Sequence, residues 1–222
     1  MPQAVVQAGA EAAGIELAEQ FTTVDQQRRV GTLGMWAWLM TELLLFAGLF
    51  LTAAVLRIMY PESVQAASQH LKMWIGAANT VLLITSSLTM TAGIELSKMG
   101  RNRDTARALL VTGALGTAFM LLKSYEYYSD YAEHMMPFLD RPYALAGDNA
   151  SQLFVSLYYV ATLLHAVHLT IGIATVATMA WLVRRAGYLA KHQNRIELVG
   201  LYWHFIDLIW IIAYPTLYLV NR

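Results

Sequence analysis

Cysteine is missing from the 222-residue sequence, and charged residues are scarce. Without cysteine the chain can form no disulfide, no thiolate metal site and no iron–sulfur cluster. Asp, Glu, Lys and Arg supply 14% of the residues, whereas an average soluble domain carries about 25%. The formal net charge of zero gives no argument for a nucleic-acid partner. The sequence also lacks a phosphate-binding glycine loop, a Gly-x-Ser-x-Gly elbow and an HExxH motif, so the common soluble-enzyme classes have no support.

The sequence contains long apolar segments with few or no charged residues. No charged residue lies between Asp148 and Arg184, a stretch longer than the roughly 20 residues that cross a bilayer. The predicted fold is therefore an all-α membrane protein, a bundle of five transmembrane helices. The third span is the weakest, and we expect Lys123 to complete it by extending its ammonium group toward the lipid headgroups. The five predicted spans lie at about 33–56, 73–94, 106–128, 150–183 and 198–220.

The lysines and arginines predict the orientation of the chain, because they concentrate on the cytoplasmic side of membrane proteins. Ten fall on the side that holds the N-terminus and four on the other, with Lys123 left out. We therefore expect a cytoplasmic leader over residues 1–30, a membrane domain over 31–222 and a periplasmic C-terminus. The leader has acidic residues and no apolar block, so it does not resemble a cleaved signal peptide. Residues 131–149 are expected to form a turn-rich cap on the far side.

One carboxyl group falls near the middle of the first predicted span. An ionisable group in a transmembrane helix costs roughly 2.5–3.5 kcal/mol, which makes it a functional candidate. Burial in lipid disfavours the charged form, so Glu42 is expected to be protonated unless a basic partner reaches it. A hydrogen bond to a neighbouring helix is the favoured interpretation, and a role in proton transfer or lipid contact is the alternative.

Other ionisable residues occur in pairs on single helix faces. His165 and His168 are three residues apart, and His204 and Asp207 repeat that spacing on the last span. We expect Asp207 to orient the His204 imidazole and to share its proton. Glu126 falls at the outer end of the third span, among tyrosines typical of an interfacial aromatic belt.

A metal site is the less favoured interpretation of these residues. His165 and His168 are too close in sequence to hold two stacked haems between helices. A single metal bound by His165, His168, Glu126 and His204 can be imagined, but hydrogen bonding between helices explains the same residues. We therefore predict no metal, no cofactor and no catalytic residue in this chain. The small residues Gly76, Gly113, Gly116 and the Thr-Ser-Ser segment at 85–87 are expected to permit close helix packing.

Five motifs occur along the predicted spans: GMW and TELLLFAGLF at 34–36 and 41–50; NT, LL and TSS within 79–87; EYY at 126–128; HAVH followed by IG within 165–172; and YWHFID with Trp210 within 202–210. In this order and on these helices they resemble one protein family, subunit III of the haem–copper oxidases, over about residues 31–219. Two departures stand out. Leu163, Leu164 and Ala166 occupy positions around the first histidine where the family usually has glycine, and the chain has five spans instead of the seven of the longest members.

The resemblance implies an enzyme role only as part of a respiratory complex, in the first place a cytochrome c oxidase of a bacterial inner membrane. Such a subunit holds no haem or copper, which lie in the partner subunit. It flanks the catalytic subunit I, binds phospholipid, and supports proton uptake and durability during turnover. Glu42 corresponds to the family's buried glutamate facing the core subunit. The remaining intramembrane residues would form a polar cluster that ties helices together and contacts lipid: Glu126, His165, His168, His204 and Asp207.

Three alternatives stay open. The ending over 207–219 also resembles the homologue associated with nitric oxide reductase. A stand-alone proton channel or transporter would use Glu42 and the pair His204 and Asp207 as a relay. A stand-alone membrane metalloenzyme would use the face of His165 and His168. Whether cytochrome c or quinol is the electron donor is not determined by the sequence.

Overall fold

The computed structural model describes residues 21–69, 71–133, 149–185 and 188–219, and every regular element in these ranges is a helix. The helices are α1 (Val24–Met59), α2 (Pro61–Gln69), α3 (Met73–Lys98), α4 (Asn102–Ala132), α5 (Asn149–Val183) and α6 (Tyr188–Tyr218). Five of them, all but α2, are long and apolar enough to cross a membrane. The predicted all-α bundle with five membrane-spanning helices is confirmed.

Helices α1 and α4 extend beyond both ends of the predicted apolar segments, and α6 begins before its predicted segment but ends at Tyr218. Thr23 caps α1, its hydroxyl accepting a hydrogen bond of 3.1 Å from the backbone N–H of Gln26. Between α3 and α4 the chain turns at Gly100, whose φ of +71° suits a residue without Cβ. Helix α1 begins inside the segment predicted as a leader, and residues 1–20 of that segment lie outside the described residues. Of the predicted cap, residues 134–148 also lie outside them.

Four of the spanning helices form a closed bundle. In order around it, α3 packs on α4, α4 on α5, α5 on α6, and α6 on α3. Helix α1 lies outside this ring against α5 and α6, and the short α2 packs on α5. Within the most apolar stretch of each span, 61% of the residues are buried in α6 and 22% in α1. Helix α6 is therefore central, and α1 is peripheral and presents most of its apolar surface outward.

Glycine allows close approach to the large aromatic residues of α6. A Cβ on Gly116 would lie 2.8 Å from the Trp203 ring, and one on Gly76 would lie 2.7 Å from the Tyr214 ring. The packing role predicted for Gly76 and Gly116 is therefore confirmed, since small residues permit such contacts between membrane helices. Gly113 makes a looser contact, because the nearest atom to its virtual Cβ, on Val176, is 3.9 Å away.

Hydrogen bonds from two tryptophans of α6 fix its position against α3. Trp203 Nε1 donates to Ser86 Oγ at 3.1 Å, and Trp210 Nε1 donates to Thr80 Oγ1 at 3.1 Å. Both rings are fully buried. Ser86, predicted only as a small packing residue, therefore also satisfies a buried indole N–H that would otherwise be costly. The orientation of the bundle across the bilayer stays a prediction.

Candidate functional site

A buried ion pair with two tyrosines lies between α4, α5 and α6. Lys123 Nζ is 3.1 Å from Glu126 Oε2, and their side chains are only 3% and 1% exposed. The ammonium group also donates to the hydroxyl oxygens of Tyr158, at 2.8 Å, and Tyr218, at 2.6 Å. In return both tyrosine hydroxyls donate to Glu126 Oε1, at 2.9 and 2.8 Å. We call these four residues the buried network.

Every polar hydrogen of the buried network has an acceptor. An ammonium group has three N–H donors, and here they meet Glu126, Tyr158 and Tyr218. Each tyrosine then has one hydrogen left, which goes to the carboxylate. A buried ion pair is tolerated when its remaining donors and acceptors are satisfied in this way. The expectation that Lys123 reaches the lipid headgroups is therefore wrong, because its ammonium is held inside the bundle by three partners.

Polar contacts continue from this network toward the end of α4. Tyr159 donates to Asp130 Oδ2 at 3.1 Å, and Lys72 Nζ lies 3.9 Å from Asp130 Oδ1. Lys72 also bonds the half-exposed Glu133 at 2.8 Å. Asp130 is 5% exposed whereas Glu133 is half-exposed, so these contacts run from the buried interior to the surface of the bundle. Glu126 itself is fully buried inside the bundle, whereas its neighbours Tyr125 and Tyr128 are exposed, as an interfacial belt requires.

A second pair joins the peripheral helix to the bundle. Glu42 Oε2 on α1 lies 3.1 Å from His168 Nε2 on α5, with side chains 19% and 14% exposed. The other ring nitrogen of His168, Nδ1, is 2.7 Å from the Leu164 carbonyl oxygen. The edge of the imidazole contacts the Phe46 ring at a centroid distance of 5.6 Å. The basic partner that was required for Glu42 to ionise is therefore His168.

The geometry of this pair limits where its protons can be. A carbonyl oxygen only accepts, so Nδ1 of His168 must carry a hydrogen and donate it to Leu164. One further proton then lies between Nε2 and the Glu42 carboxyl group. Whether that proton sits on the carboxyl or on the ring, the pair is neutral overall, and neutrality is what a low-dielectric surrounding favours. Loss of the proton would leave one uncompensated negative charge in the membrane.

The expected pairing of His204 with Asp207 does not form. His204 Nδ1 is 2.8 Å from Ser87 Oγ, and Nε2 is 3.5 Å from Thr91 Oγ1, so both ring nitrogens face α3. Both carboxyl oxygens of Asp207 are buried without a hydrogen-bond partner among the described residues. Residues three apart on a helix are neighbours, but here the α3 hydroxyl groups compete successfully for the imidazole.

His165 is buried as an aromatic residue. It is 2% exposed, and neither ring nitrogen has a hydrogen-bond partner among the residues that the structure describes. Its ring packs against both Phe119, at 5.6 Å, and Trp210, at 5.1 Å between centroids. The interhelical hydrogen bond that was expected to explain His165 is therefore absent from the described contacts.

The five residues predicted to form one polar cluster occupy separate places. Glu126 belongs to the buried network, His168 pairs with Glu42, and His204 bonds α3. His165 and Asp207 are buried without side-chain hydrogen bonds to other described residues. No group of three His, Cys, Asp or Glu side chains that could hold a metal ion occurs within the described ranges. Because these residues lie apart, the geometry does not support the metal site that was considered from the sequence, which combined the three histidines with Glu126.

Sequence reasoning missed several members of the polar regions. The spacing of Lys123 and Glu126 was a readable signal, because residues three apart share a helix face. Tyr158 and Tyr218 gave no such signal, since they lie 35 and 95 residues from Lys123 in the chain. The same holds for Asp130 and Lys72, which meet only after α3 and α4 pack together.

Apolar helices that enclose paired ionisable side chains define a polytopic integral membrane protein, one whose intramembrane polar groups are balanced within the bundle. Comparison of the sequence with known families gives the particular group. The model of the family "Cytochrome c oxidase subunit III" matches residues 19–221, and the chain belongs to that family. The predicted resemblance to subunit III of the haem–copper oxidases is confirmed.

Relatives agree with this assignment. The chain is 31% identical to cytochrome c oxidase subunit 3 of Thermostichus vulcanus, over 86% of this chain and 87% of the relative. It is 29% identical to cytochrome bo(3) ubiquinol oxidase subunit 3 of Pseudomonas putida, over 85% of each chain. A Synechocystis cytochrome c oxidase subunit 3 is 27% identical over 84% of this chain and 74% of its own length. The predicted class, an accessory subunit III of a bacterial haem–copper oxidase in a membrane, is thereby confirmed.

Proposed function

We propose that this chain flanks subunit I of the oxidase, which holds the haem and copper, and itself contains no catalytic centre. In this role it supports proton uptake by the catalytic subunit and its durability during turnover. Both cytochrome c oxidases and ubiquinol oxidases are among its relatives, so either electron donor is compatible with the family.

The pair of Glu42 and His168 is the observation that carries this proposal. It lies on the peripheral side of the bundle, where α1 meets α5, and it is partly exposed. A partly exposed ionisable pair on a membrane helix is expensive unless a polar surface or a partner covers it. Helix α1 also presents large apolar side chains outward, among them Trp36, Leu44 and Leu51. Glu42 itself belongs to the stripe of α1 that packs on the bundle, with the buried Leu39 and Phe46 one turn away on either side, so we place the contact with subunit I on the outward face of α1, beside the exposed edge of the pair.

Proton support follows from the single proton that the pair shares. Transfer between the carboxyl group and Nε2 of His168 leaves the net charge unchanged, so it needs little rearrangement of the surroundings. Release of this proton to the catalytic subunit would leave the pair with one negative charge, and a proton taken up from water would then restore its neutrality. The buried network has no such access, because all of its hydrogens are engaged and its side chains are sealed.

Lipid contact is assigned to the face of α6 and α3 that carries His204. This imidazole is half-buried, and the neighbouring Thr91 is exposed, so an acyl chain or a water molecule can reach them. His165, Asp207 and Glu126 are buried within the bundle and would not contact lipid directly. Bound phospholipid is therefore proposed at His204, and not at all five residues of the predicted cluster.

Purification of the tagged chain from gently solubilised native membranes tests the function. Co-purification of haem–copper oxidase polypeptides, with an a-, o- or b-type haem spectrum, is the expected result and identifies the oxidase. Nitric-oxide-reductase polypeptides with a b-type spectrum would favour the alternative association. A chain that is isolated alone, colourless and stable would overturn the proposal and support the transporter hypothesis.

A further inference from the structure

A basic cavity opens at the end of the bundle where α4 begins and α5 ends. Its volume is about 300 Å³. Five residues line it: Asn102, Arg103, Ala106, Arg107 and Arg184. Helix α4 and the residue that follows α5 thus contribute three guanidinium groups to one small space, although Arg184 is about eighty residues away from the others in the chain.

Acidic residues compensate only part of this charge. Asp104 is the one carboxylate paired with arginines here among the described residues, and it bonds both Arg101, at 2.6 Å, and Arg107, at 3.3 Å. No ion pair with a described carboxylate is formed by Arg103 or Arg184. A cavity lined by uncompensated guanidinium groups attracts anions, and the planar, forked donors of arginine match the oxygens of a phosphate group.

The surroundings of the cavity favour a phosphate that belongs to a lipid. Leu110 and Val111 lie one turn further along α4 from Arg107, and both are exposed. On α5, Trp181 is 58% exposed and stacks under Arg185 at 4.0 Å from the ring centroid. Tryptophan and arginine at the end of a spanning helix are typical of the headgroup region. An anion held in the cavity would therefore have an apolar surface directly below it, where acyl chains can lie.

We propose that this cavity binds the headgroup phosphate of an anionic phospholipid, with Arg103 and Arg184 as the principal ligands. Basic pockets between transmembrane helices on the cytoplasmic side recognise such headgroups, and the orientation predicted from the sequence places this end in the cytoplasm. The inference depends on the membrane location of the chain and not on Glu42 and His168. The two proposals can therefore fail separately.

Lipid retention by the full chain tests this site. The chain is reconstituted in nanodiscs with equal amounts of phosphatidylglycerol and phosphatidylcholine, released, and analysed by native mass spectrometry. The wild-type chain is expected to retain phosphatidylglycerol preferentially. The double variant Arg103→Gln/Arg184→Gln should retain it about 30-fold less well, since each arginine near anionic lipid contributes about 1 kcal/mol.

Two further variants keep the result interpretable. Arg28→Gln/Arg29→Gln removes the same charge from exposed positions at the start of α1 and should keep the preference for phosphatidylglycerol. Arg103→Lys/Arg184→Lys keeps the charge and should lose only a fewfold, which covers the case that the glutamine variant misfolds. Equal retention by the glutamine variant and the wild type, or equal loss in the α1 control, would overturn the site. Displacement of the lipid by an equimolar amount of inorganic phosphate would overturn the lipid assignment and leave a site for a soluble anion.

Discussion

The buried network and the pair of Glu42 with His168 satisfy intramembrane charge in two different ways. Lys123 and Glu126 are sealed between three helices and have three hydrogen-bonding partners each. Glu42 and His168 are partly exposed and share one proton across a single contact of 3.1 Å. Loss of either charge from a sealed ion pair would leave the other charge buried and uncompensated, so the buried network suits a structural role. The pair of Glu42 and His168 has one mutual contact and is partly exposed, so it can exchange a proton with its surroundings and is the better candidate for a functional role.

The largest expected effect comes from breaking the buried network at Lys123. Replacing Lys123 with Met leaves Glu126 buried with its two tyrosines and no cation, so the free energy of unfolding should fall by about 3–5 kcal/mol. Unfolding of the full chain in mixed micelles by added dodecyl sulfate measures this loss. Ser124→Ala is the matched control, because Ser124 is exposed and bonds only the backbone of its own helix.

Removing both charges sharpens that test. The double variant Lys123→Met/Glu126→Gln should recover much of the stability, since neither side chain is then an unpaired charge. A single Lys123→Met variant as stable as the wild type would mean that the ion pair does not stabilise the bundle.

Replacing Glu42 with Gln is expected to have a smaller effect on stability and a larger one on turnover. The glutamine amide can still donate to Nε2 of His168, so the contact is kept and the free energy of unfolding should change by less than about 1 kcal/mol. Glutamine cannot release a proton, however, so oxygen consumption should decay faster during sustained turnover while the subunit stays bound. The oxygen electrode trace of the purified complex, with a count of subunits before and after, measures both effects. Dissociation of the subunit from the complex would instead show that Glu42 is needed for assembly.

Asp207 should give the smallest effect of the three. The sequence alone predicts that removing this carboxyl group would strand His204 and weaken the bundle more than the change at Glu42. The structure reverses this order, because Ser87 bonds His204 and Asp207 has no hydrogen-bond partner among the described residues. Asp207→Asn should therefore be nearly neutral in the dodecyl sulfate titration, within about 1 kcal/mol of the wild type. A loss in the free energy of unfolding larger than that of Glu42→Gln would support the pairing of His204 with Asp207 that the sequence predicts.

Helix count and family were predictable because they depend on signals that are local in the chain. A spanning segment needs about 20 mostly apolar residues. The third span was recognised although its uninterrupted apolar stretch is shorter than that. The family motifs are likewise short strings, such as HAVH at 165–168 and YWHFID at 202–207. Errors came where a local rule was applied to a residue with distant partners. Lys123 was expected at the headgroups because snorkelling is the usual solution for a lysine near a helix end.

By itself the sequence determined that this chain is a five-helix membrane protein of the subunit III family, with ionisable residues at known positions along each span. Only the tertiary structure decided which of those residues meet. Glu42 and His168 are 126 residues apart, and Lys123 and Tyr218 are 95 apart, so no helical periodicity relates them. The physical reason is that burying a charge among helices requires partners from several helices at once. Which helices are neighbours is set by packing, such as Trp203 against Gly116, and not by the sequence around each polar residue.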